Sequence, residues 1–236
     1  PAIISASVKK AEAVFVVSQA TERDLHRIMP TSVGKTVVTP LAARRLGTPD
    51  VRSRGARTDQ DYLLFVGTLE PRKNLRRLLS AWQSLDPTIR GGTKLFIVGA
   101  TGWMVERLLE DTASDTSVKF FGHVDDNELA GLLNGAKALV YPTLYEGFGL
   151  PVVEAMELGV PVLTSNTGAT REIAEGAAIL VEPTSVDDIR AGLARLLTEP
   201  DLLAALSMGG PERARSFSWE RTAKLTIQTL EKLAAA

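Results

Sequence analysis

Short apolar runs alternate with amphipathic stretches along most of the chain. The apolar runs predict the strands Phe15–Val17, Val37–Thr39, Tyr62–Val66, Lys94–Val98, Val118–Phe121, Ala138–Tyr141, Pro161–Thr164 and Ala178–Val181. Stretches with helical spacing lie between most of them, namely Leu75–Leu85, Met104–Leu109, Asn127–Leu133, Pro151–Leu158 and Val186–Leu197. Wholly apolar strands that alternate with helices are typical of a parallel sheet covered on both faces. We therefore predict an α/β fold whose main part is a Rossmann-like doubly wound parallel sheet of about six strands.

The stretch Arg44–Arg57 interrupts this alternation. It combines several arginines with Gly, Pro, Ser and Thr and has no apolar period. A basic loop of this kind can contact a membrane surface or a substrate, but the composition favours a solvated linker. We accordingly divide the chain into residues 1–40 (the tail of a preceding domain), 41–60 (linker), 61–215 (main α/β domain) and 216–236 (a C-terminal helix that begins near Ser218).

Composition narrows the possible functions. The 236 residues are 44% hydrophobic and 23% charged with a net charge of -1, so no nucleic acid or anionic surface is required as a partner. The absence of cysteine excludes disulfides, a thiol nucleophile and a Cys-ligated zinc, and it fits a reducing cytoplasm. The two histidines, His26 and His123, are far apart, so we predict no metal site. No apolar run is long enough for a membrane span, and the first residues resemble the interior of a longer chain more than a leader peptide.

The loop after the strand Tyr62–Val66 has the sequence GTLEPRKN, from Gly67 to Asn74. Ligands of doubly wound sheets bind beyond the carboxyl ends of the strands. Gly67 would allow a ligand to approach the backbone, and Arg72 and Lys73 would place two cations beside a helix that Asn74 is predicted to cap. A diphosphate would fit this loop, but an ordinary β–α turn with solvated charges fits equally well.

A second loop, GHVDD, follows the strand Val118–Phe121. His123 would lie at the mouth of the sheet, although a lone histidine in a loop is more often solvated than catalytic. Asp125 or Asp126 is predicted to cap the next helix. Backbone groups near Val124 could face a planar ligand.

The third loop is the most informative, because Gly147 and Gly149 bracket Phe148 directly before a helix. Pro151 lies near the predicted start of that helix, as proline commonly does. Gly159 follows its end. The free N–H groups of a glycine-rich loop at a helix N-terminus are well placed to bind a phosphate.

Two carboxylates frame this loop. Glu146 precedes it and Glu154 lies about one turn into the helix, so the two can reach different parts of one ligand, such as sugar and ribose hydroxyls. The spacing alone is weak evidence, because Glu212 and Glu220 have the same separation without a strand or a glycine loop before them. The context of strand, EGFGLP and helix distinguishes the first pair.

These segments resemble glycosyltransferase family 4, whose members have the GT-B fold. The resemblance rests on FVGTLEPRKN, FFGHVDDNELAGLLNGAKALVYPTLYEG, the E-x7-E segment EGFGLPVVEAMELGVPV and the closing FSWERT. The opening AEAVFVVSQATERDL is similar to the last strand and helix of the family's N-terminal domain. The resemblance covers nearly the whole chain and implies the C-terminal, nucleotide-sugar-binding half of a GT-B enzyme.

The resemblance also implies roles for individual residues. Glu154 would bind the ribose, Glu146 would contact the transferred sugar, and Lys73, helped by Arg72, would neutralise the leaving diphosphate. The remaining implied donor contacts are the loop residues Gly67 and Thr68, the backbone near Val124 (facing the base) and the backbone N–H groups of Phe148, Gly149 and Leu150. Many relatives have an arginine where this chain has Thr68, which leaves open whether Arg72 supplies the second phosphate cation.

The activity implied by the resemblance is retaining sugar transfer without a bound metal or cofactor. The GTLEPRKN variant resembles bacterial mannosyltransferases of lipopolysaccharide and other surface glycans, which suggests GDP-mannose as donor and a glycan or lipid-linked acceptor. Such enzymes work in the cytoplasm, often peripherally at the inner face of the membrane. Because most of the acceptor domain is absent, we expect this chain to bind the donor but to need the missing N-terminal domain for transfer.

Three other functions are consistent with parts of the pattern. A non-catalytic nucleotide-sugar-binding module acting with a partner chain would have the same fold, but the presence of both Glu146 and Lys73 favours the enzyme. A dinucleotide-dependent oxidoreductase would need G-x-G-x-x-G after a strand, and the segment from Gly99 to Gly102 is too short a match. A structural α/β domain would use the same glycines only for turns.

Overall fold

The computed structural model describes residues 2–44, 60–100, 112 and 114–235. The predicted helix Met104–Leu109 and residues 45–57 of the basic stretch lie outside the described residues.

The described strands form two parallel sheets. The strands are β1 (Val14–Val16), β2 (Thr36–Val38), β3 (Tyr62–Val66), β4 (Lys94–Val98), β5 (Val118–Gly122), β6 (Ala138–Tyr141), β7 (Val162–Ser165) and β8 (Ile179–Val181). β1 pairs with β2, and the other six form one sheet in the order β5-β4-β3-β6-β7-β8. The sequence predictions for β3, β4 and β6 match to the residue, and the others differ by at most one residue at each end.

Helices follow most strands. The helices within the described residues are α1 (Ala2–Lys10), α2 (Gln19–Ile28), α3 (Leu75–Gln83), α4 (Pro87–Arg90), α5 (Asp126–Asn134), α6 (Leu150–Glu157), α7 (Gly168–Ala174), α8 (Val186–Thr198), α9 (Pro200–Ala214) and α10 (Trp219–Ala234). Short 3-10 turns occur at Pro30–Ser32 and Pro71–Lys73. The helical patterns after β3, β5, β6 and β8 are confirmed, whereas α7 and α9 are not among the elements that the sequence pattern predicts.

Both faces of the six-stranded sheet are buried. On one face Leu63 and Phe65 of β3 pack in a cluster with residues of α3 and α8. On the other face Tyr62 and Leu64 pack with residues of α5 and α6. A strand covered on both faces needs apolar residues at every position, which explains why β3 shows no alternation. The predicted doubly wound α/β fold is confirmed.

The strand order reverses between β3 and β6. From β3 the chain continues through β4 to β5 on one side, and from β6 it continues through β7 to β8 on the other. The two central strands therefore send their following helices to opposite faces, which leaves a crevice beyond their carboxyl ends. The loops 67–74 and 142–149 border this crevice.

The N-terminal segment contacts the edge of the crevice. The hydroxyl groups of Ser18 and Thr21 donate hydrogen bonds to the carbonyl oxygen of Gly147 at 2.7 and 2.9 Å. Glu172 of α7 accepts hydrogen bonds from the first two amides of α2 at 3.0 Å each. The start of α2 is thus fixed against the glycine-rich loop.

The C-terminal helix α10 also reaches back to the first part of the chain. The indole N–H of Trp219 donates to the carbonyl oxygen of Ala43 at 3.1 Å, and the hydroxyl of Thr222 donates to that of Pro40. Ser218 caps the helix by accepting from the amide of Arg221, so the predicted start near Ser218 is confirmed. The helix thereby holds residues 40–43 in place beside the crevice.

Candidate functional site

The loop after β3 carries its lysine back across the end of the strand. Gly67 has φ 147°, a conformation that glycine adopts most readily. A Cβ at this position would lie 3.4 Å from Cε of Lys73, in ordinary van der Waals contact, so the positive φ and not a lack of space favours glycine here. Lys73 is 7% exposed and its ammonium group is held inside the crevice. The structure therefore places this cation at the switch point of the sheet.

Asn74 ties the two central loops together. It stands at the N-cap position of α3, as predicted, but its side chain makes no capping hydrogen bond, so the predicted mechanism is wrong. Its φ of 60° turns the amide group toward neighbouring loops. There the amide donates to the carbonyl oxygens of Pro142 at 2.8 Å and Pro183 at 2.6 Å.

Glu146 is held between two cations. One carboxylate oxygen accepts from Lys73 Nζ at 2.7 Å, and the other accepts from an Arg72 nitrogen at 2.9 Å. A second guanidinium nitrogen of Arg72 contacts Glu70 at 2.6 Å. Partial burial acts to lower the pKa of Arg72, but the charge of Glu146 and the hydrogen bond to it outweigh that effect and raise the pKa. The cluster gathers three of the predicted site residues on the two loops.

Tyr141 is a member of this cluster that sequence analysis missed. Its hydroxyl accepts a hydrogen bond from Lys73 Nζ at 2.5 Å and donates one to Glu146 at 3.0 Å. Burial, followed by the charge of Glu146, raises the pKa of Tyr141 well above its usual value, so the hydroxyl stays protonated and able to donate. The apolar pattern of the sequence places Tyr141 only in a buried strand. The available signal was a hydroxyl group at the carboxyl end of a central strand, immediately before a loop that carries a glutamate.

Replacing Tyr141 with phenylalanine should lower the free energy of unfolding by about 1.5–3 kcal/mol, because both lost partners are charged. Tyr62→Phe is a matched control, since the buried hydroxyl of Tyr62 donates to the neutral carbonyl of Leu132 at 2.7 Å. That control should cost only about 1 kcal/mol. Urea unfolding measures both, and equal losses would contradict a role for Tyr141 in organising the charged cluster.

A cavity of about 350 Å³ opens beside the cluster. Its walls come from both central loops, from α6 and from the N-terminal segment: Val17, Leu41, Gly67, Lys73, Tyr141, Glu146, Gly147, Phe148, Gly149, Leu150 and Pro151. The lining combines the charged and hydroxyl groups of Lys73, Glu146 and Tyr141 with the apolar side chains of residues 17, 41 and 148. A cavity of this size can hold part of a small ligand.

The N-terminus of α6 forms one wall of this cavity. Gly149 is its N-cap with φ 114°, and no side chain caps the helix. The positive φ favours glycine, and a Cβ at Gly149 would also crowd the side chain of Thr170 at 3.2 Å. The first amides of a helix carry partial positive charge, although Pro151 at the start of α6 has no N–H to contribute. Together with the ammonium of Lys73 they make this wall suitable for an anion.

Glu154 lies deeper in α6 and is covered by an arginine. Its side chain is 1% exposed, and one carboxylate oxygen accepts from Nε of Arg44 at 2.6 Å. Arg44 also contacts Asp126 at 3.4 Å. The hydrogen bond to Glu154 raises the pKa of Arg44 despite its partial burial. Arg44, the first residue of the stretch predicted to be a solvated linker, is thus half-exposed but paired with a buried carboxylate, which requires such a partner.

The remaining predicted residues do not line this cavity. Thr68 and His123 are exposed, and Val124 is half-buried beside α5. Asp125 caps α5 by accepting from the amide of Glu128 at 2.8 Å, which decides between the two predicted caps. Within the described ranges no group of three or more acidic or histidine side chains could hold a metal ion. None of the helices described here is long and apolar enough to cross a membrane.

The fold and the cavity define a Rossmann-like α/β domain with a crevice at its switch point. The chain belongs to the family described as glycosyl transferases group 1, whose model matches residues 48–213. The resemblance to glycosyltransferase family 4 is thus confirmed.

Curated relatives include several mannosyltransferases. The chain is 32% identical to O-antigen chain mannosyltransferase B of Escherichia coli, over 96% of this chain and 62% of that protein. It is 34% identical to the MMP alpha-(1->4)-mannosyltransferase of Mycolicibacterium hassiacum, over 94% of this chain and 54% of the relative. The chain therefore spans between half and two thirds of the length of these relatives.

Solved structures confirm the GT-B type of fold. Sucrose-phosphate synthase from Thermosynechococcus elongatus matches with a TM-score of 0.83 at 27% identity, over 99% of this chain and 61% of that chain. WaaG, a glycosyltransferase involved in lipopolysaccharide biosynthesis, matches with a TM-score of 0.76 at 24% identity, over 89% of this chain and 60% of that one.

Proposed function

We propose that this chain is the nucleotide-sugar-binding half of a retaining glycosyltransferase that needs no metal. The sugar in our first hypothesis is mannose, transferred from GDP-mannose to a glycan or lipid-linked acceptor. One observation supports the proposal above all: the buried ammonium of Lys73 and the uncapped N-terminus of α6 face one cavity at the switch point. A diphosphate carries the charge that such a wall binds best.

The chemistry of sugar transfer fits these cations. Breaking the bond between C1 of the sugar and the diphosphate oxygen leaves positive charge on the sugar and negative charge on the diphosphate. Lys73, Arg72 and the amides of α6 would stabilise the departing diphosphate where its charge develops. In other enzymes a bound metal ion can stabilise such charge.

In this proposal Glu146 positions the sugar and is not a nucleophile. Both of its oxygens are already bound by cations, at 2.7 and 2.9 Å, which lowers their nucleophilicity and fixes their direction. A carboxylate held in this way can accept hydrogen bonds from sugar hydroxyls. Glu154 would accept hydrogen bonds from the hydroxyls of the ribose.

The identity of the sugar is suggested by the relatives. O-antigen chain mannosyltransferase B and the MMP alpha-(1->4)-mannosyltransferase both carry mannose in their names. Because the chain spans only part of each, the acceptor site would lie in a further domain, and the chain alone would bind donor without transferring it. The cytoplasm, with peripheral contact at the inner face of the membrane, would give access to a lipid-linked acceptor.

Calorimetric titration of the chain with GDP, UDP, ADP and GDP-mannose tests the proposal. We expect selective binding of one nucleotide and its sugar conjugate. Glu154→Ala should weaken that binding about tenfold, because two ribose hydroxyls lose a charged acceptor. Glu157→Ala is the control, since Glu157 is an exposed carboxylate on the same helix and should have no effect.

The two-domain protein completes the test. If neither the folded chain nor the two-domain protein binds any of the nucleotides, the proposal is wrong. If the two-domain protein binds the donor but transfers no sugar to any glycan or lipid-linked acceptor offered, the non-catalytic binding module becomes the better hypothesis.

A further inference from the structure

One oxygen of the proposed ribose-binding carboxylate already accepts a hydrogen bond from an arginine. The side chain of Glu154 is 1% exposed, whereas that of Arg44, which covers it, is 47% exposed. Nε of Arg44 lies 2.6 Å from the Glu154 oxygen and therefore takes up one of its acceptor positions. A hydroxyl can bind this oxygen fully only after the guanidinium has moved.

Arg44 has a second acidic partner. The distance from its NH1 nitrogen to Asp126 is 3.4 Å, and the side chain of Asp126 is 69% exposed at the start of α5. The guanidinium thus lies between a buried and an exposed carboxylate. On leaving Glu154 it would keep a partner that is already in contact, and it would enter solvent, where its charge is well hydrated. The cost of this movement therefore falls on Glu154, whose buried carboxylate loses its charged partner unless a ligand donates hydrogen bonds to it.

We propose that Arg44 is a built-in competitor of the donor's ribose. Without nucleotide it pairs with Glu154, and when ribose hydroxyls bind it leaves Glu154 and remains with Asp126. This inference rests on the proposed nucleotide site. It makes Arg44 a specificity-determining residue, because only a ligand that donates hydrogen bonds to Glu154 can replace the lost ion pair. A nucleotide without ribose hydroxyls would bind, weakly, with Arg44 still in place.

Arg44→Gln tests the competition, because glutamine lacks the charge but can still donate to the buried carboxylate. With the nucleoside diphosphate that binds best, we expect calorimetry to show about three- to tenfold tighter binding than in the wild type. Affinity for the 2′,3′-dideoxy form of the same nucleotide should be unchanged. Arg195→Gln is the matched control, since Arg195 is 48% exposed and pairs with the exposed Glu199 at 3.0 Å.

A double-mutant cycle shows whether the effect passes through Glu154. In a Glu154→Gln background, Arg44→Gln should no longer tighten binding. Asp126→Asn removes the second partner of Arg44 and should weaken ribonucleotide binding about twofold or more. This variant leaves the pair with Glu154 intact, so it tests the proposal even if Arg44→Gln does not fold.

Several results would overturn the inference. Unchanged or weaker ribonucleotide binding in Arg44→Gln would show that Arg44 does not compete or that it contacts the nucleotide directly. Equal tightening for the dideoxy nucleotide would show a general change of charge instead of competition with ribose. If the wild type binds nucleotide and Lys73 is required, these results overturn the role of Arg44 alone. If the wild type binds no nucleotide in either form, the proposed function fails as well.

Discussion

Replacing Lys73 with methionine is expected to weaken binding of nucleoside diphosphates about 10- to 100-fold, because a charge-assisted hydrogen bond to phosphate is lost inside a sheltered cavity. Methionine is unbranched and can fill the space against Gly67 that the lysine chain occupies. Nucleoside monophosphates should lose much less affinity if the ammonium contacts the distal phosphate. Calorimetric titration of the variant with both kinds of nucleotide measures this difference.

Lys137→Met is the matched control for this prediction. Lys137 is a partly exposed lysine whose contact with Asp61 is 3.7 Å long, outside the cavity. The Lys137→Met variant should bind nucleotides with the same affinity as the wild type. An equal loss in the two variants, or an equal loss for mono- and diphosphates, would argue that Lys73 acts through general charge and not through the diphosphate.

Gly99→Ala is expected to cost about 3–5 kcal/mol of the free energy of unfolding. Gly99 has φ 149°, and a Cβ there would lie 2.0 Å from the carbonyl oxygen of Gly67. Because the carbonyl oxygen belongs to the backbone, no flexible side chain can move aside. The collision should push the loop that carries Lys73, so nucleotide affinity should fall together with stability.

Gly92→Ala is the control for Gly99. A Cβ at Gly92 would meet no atom within 4 Å, so the free energy of unfolding of this variant should differ from that of the wild type by less than about 1 kcal/mol. Urea unfolding followed by circular dichroism compares them. Similar midpoints for the two variants would mean that the close approach of Gly99 to Gly67 does not constrain the lysine loop.

Strands were the most predictable elements of this fold. β3, β4 and β6 lie in the interior of the sheet and are apolar at nearly every position, and turn residues mark their ends, so local sequence is sufficient to place them. The helix α9 was missed because it contains Gly209, Gly210 and Pro211, which ordinarily break helices. A Cβ at Gly210 would lie 3.2–3.3 Å from backbone atoms of Met156, so the glycine serves close packing between α9 and α6.

The sequence predicts which loops form the site, but it does not predict the contacts between their side chains. Lys73, Glu146 and Gly149 follow central strands, so the general rule for doubly wound sheets brings them together. Their actual partners depend on contacts that no local pattern reports. Arg44 and Glu154 are 110 positions apart, and the former lies in a stretch whose composition favours a linker.

The strand order also has a consequence for biosynthesis. Lys73 and Glu146 are 73 positions apart in sequence, and neighbouring strands β3 and β6 belong to different halves of the sheet. At typical rates of translation a ribosome needs about 4–15 s to add the intervening residues. During that interval β3, β4 and β5 can pair with one another while the lysine still lacks its counter-charge and the cavity lacks one wall. The nucleotide that we propose as ligand would therefore stabilise the finished domain by mass action, but the nascent first half must fold without it.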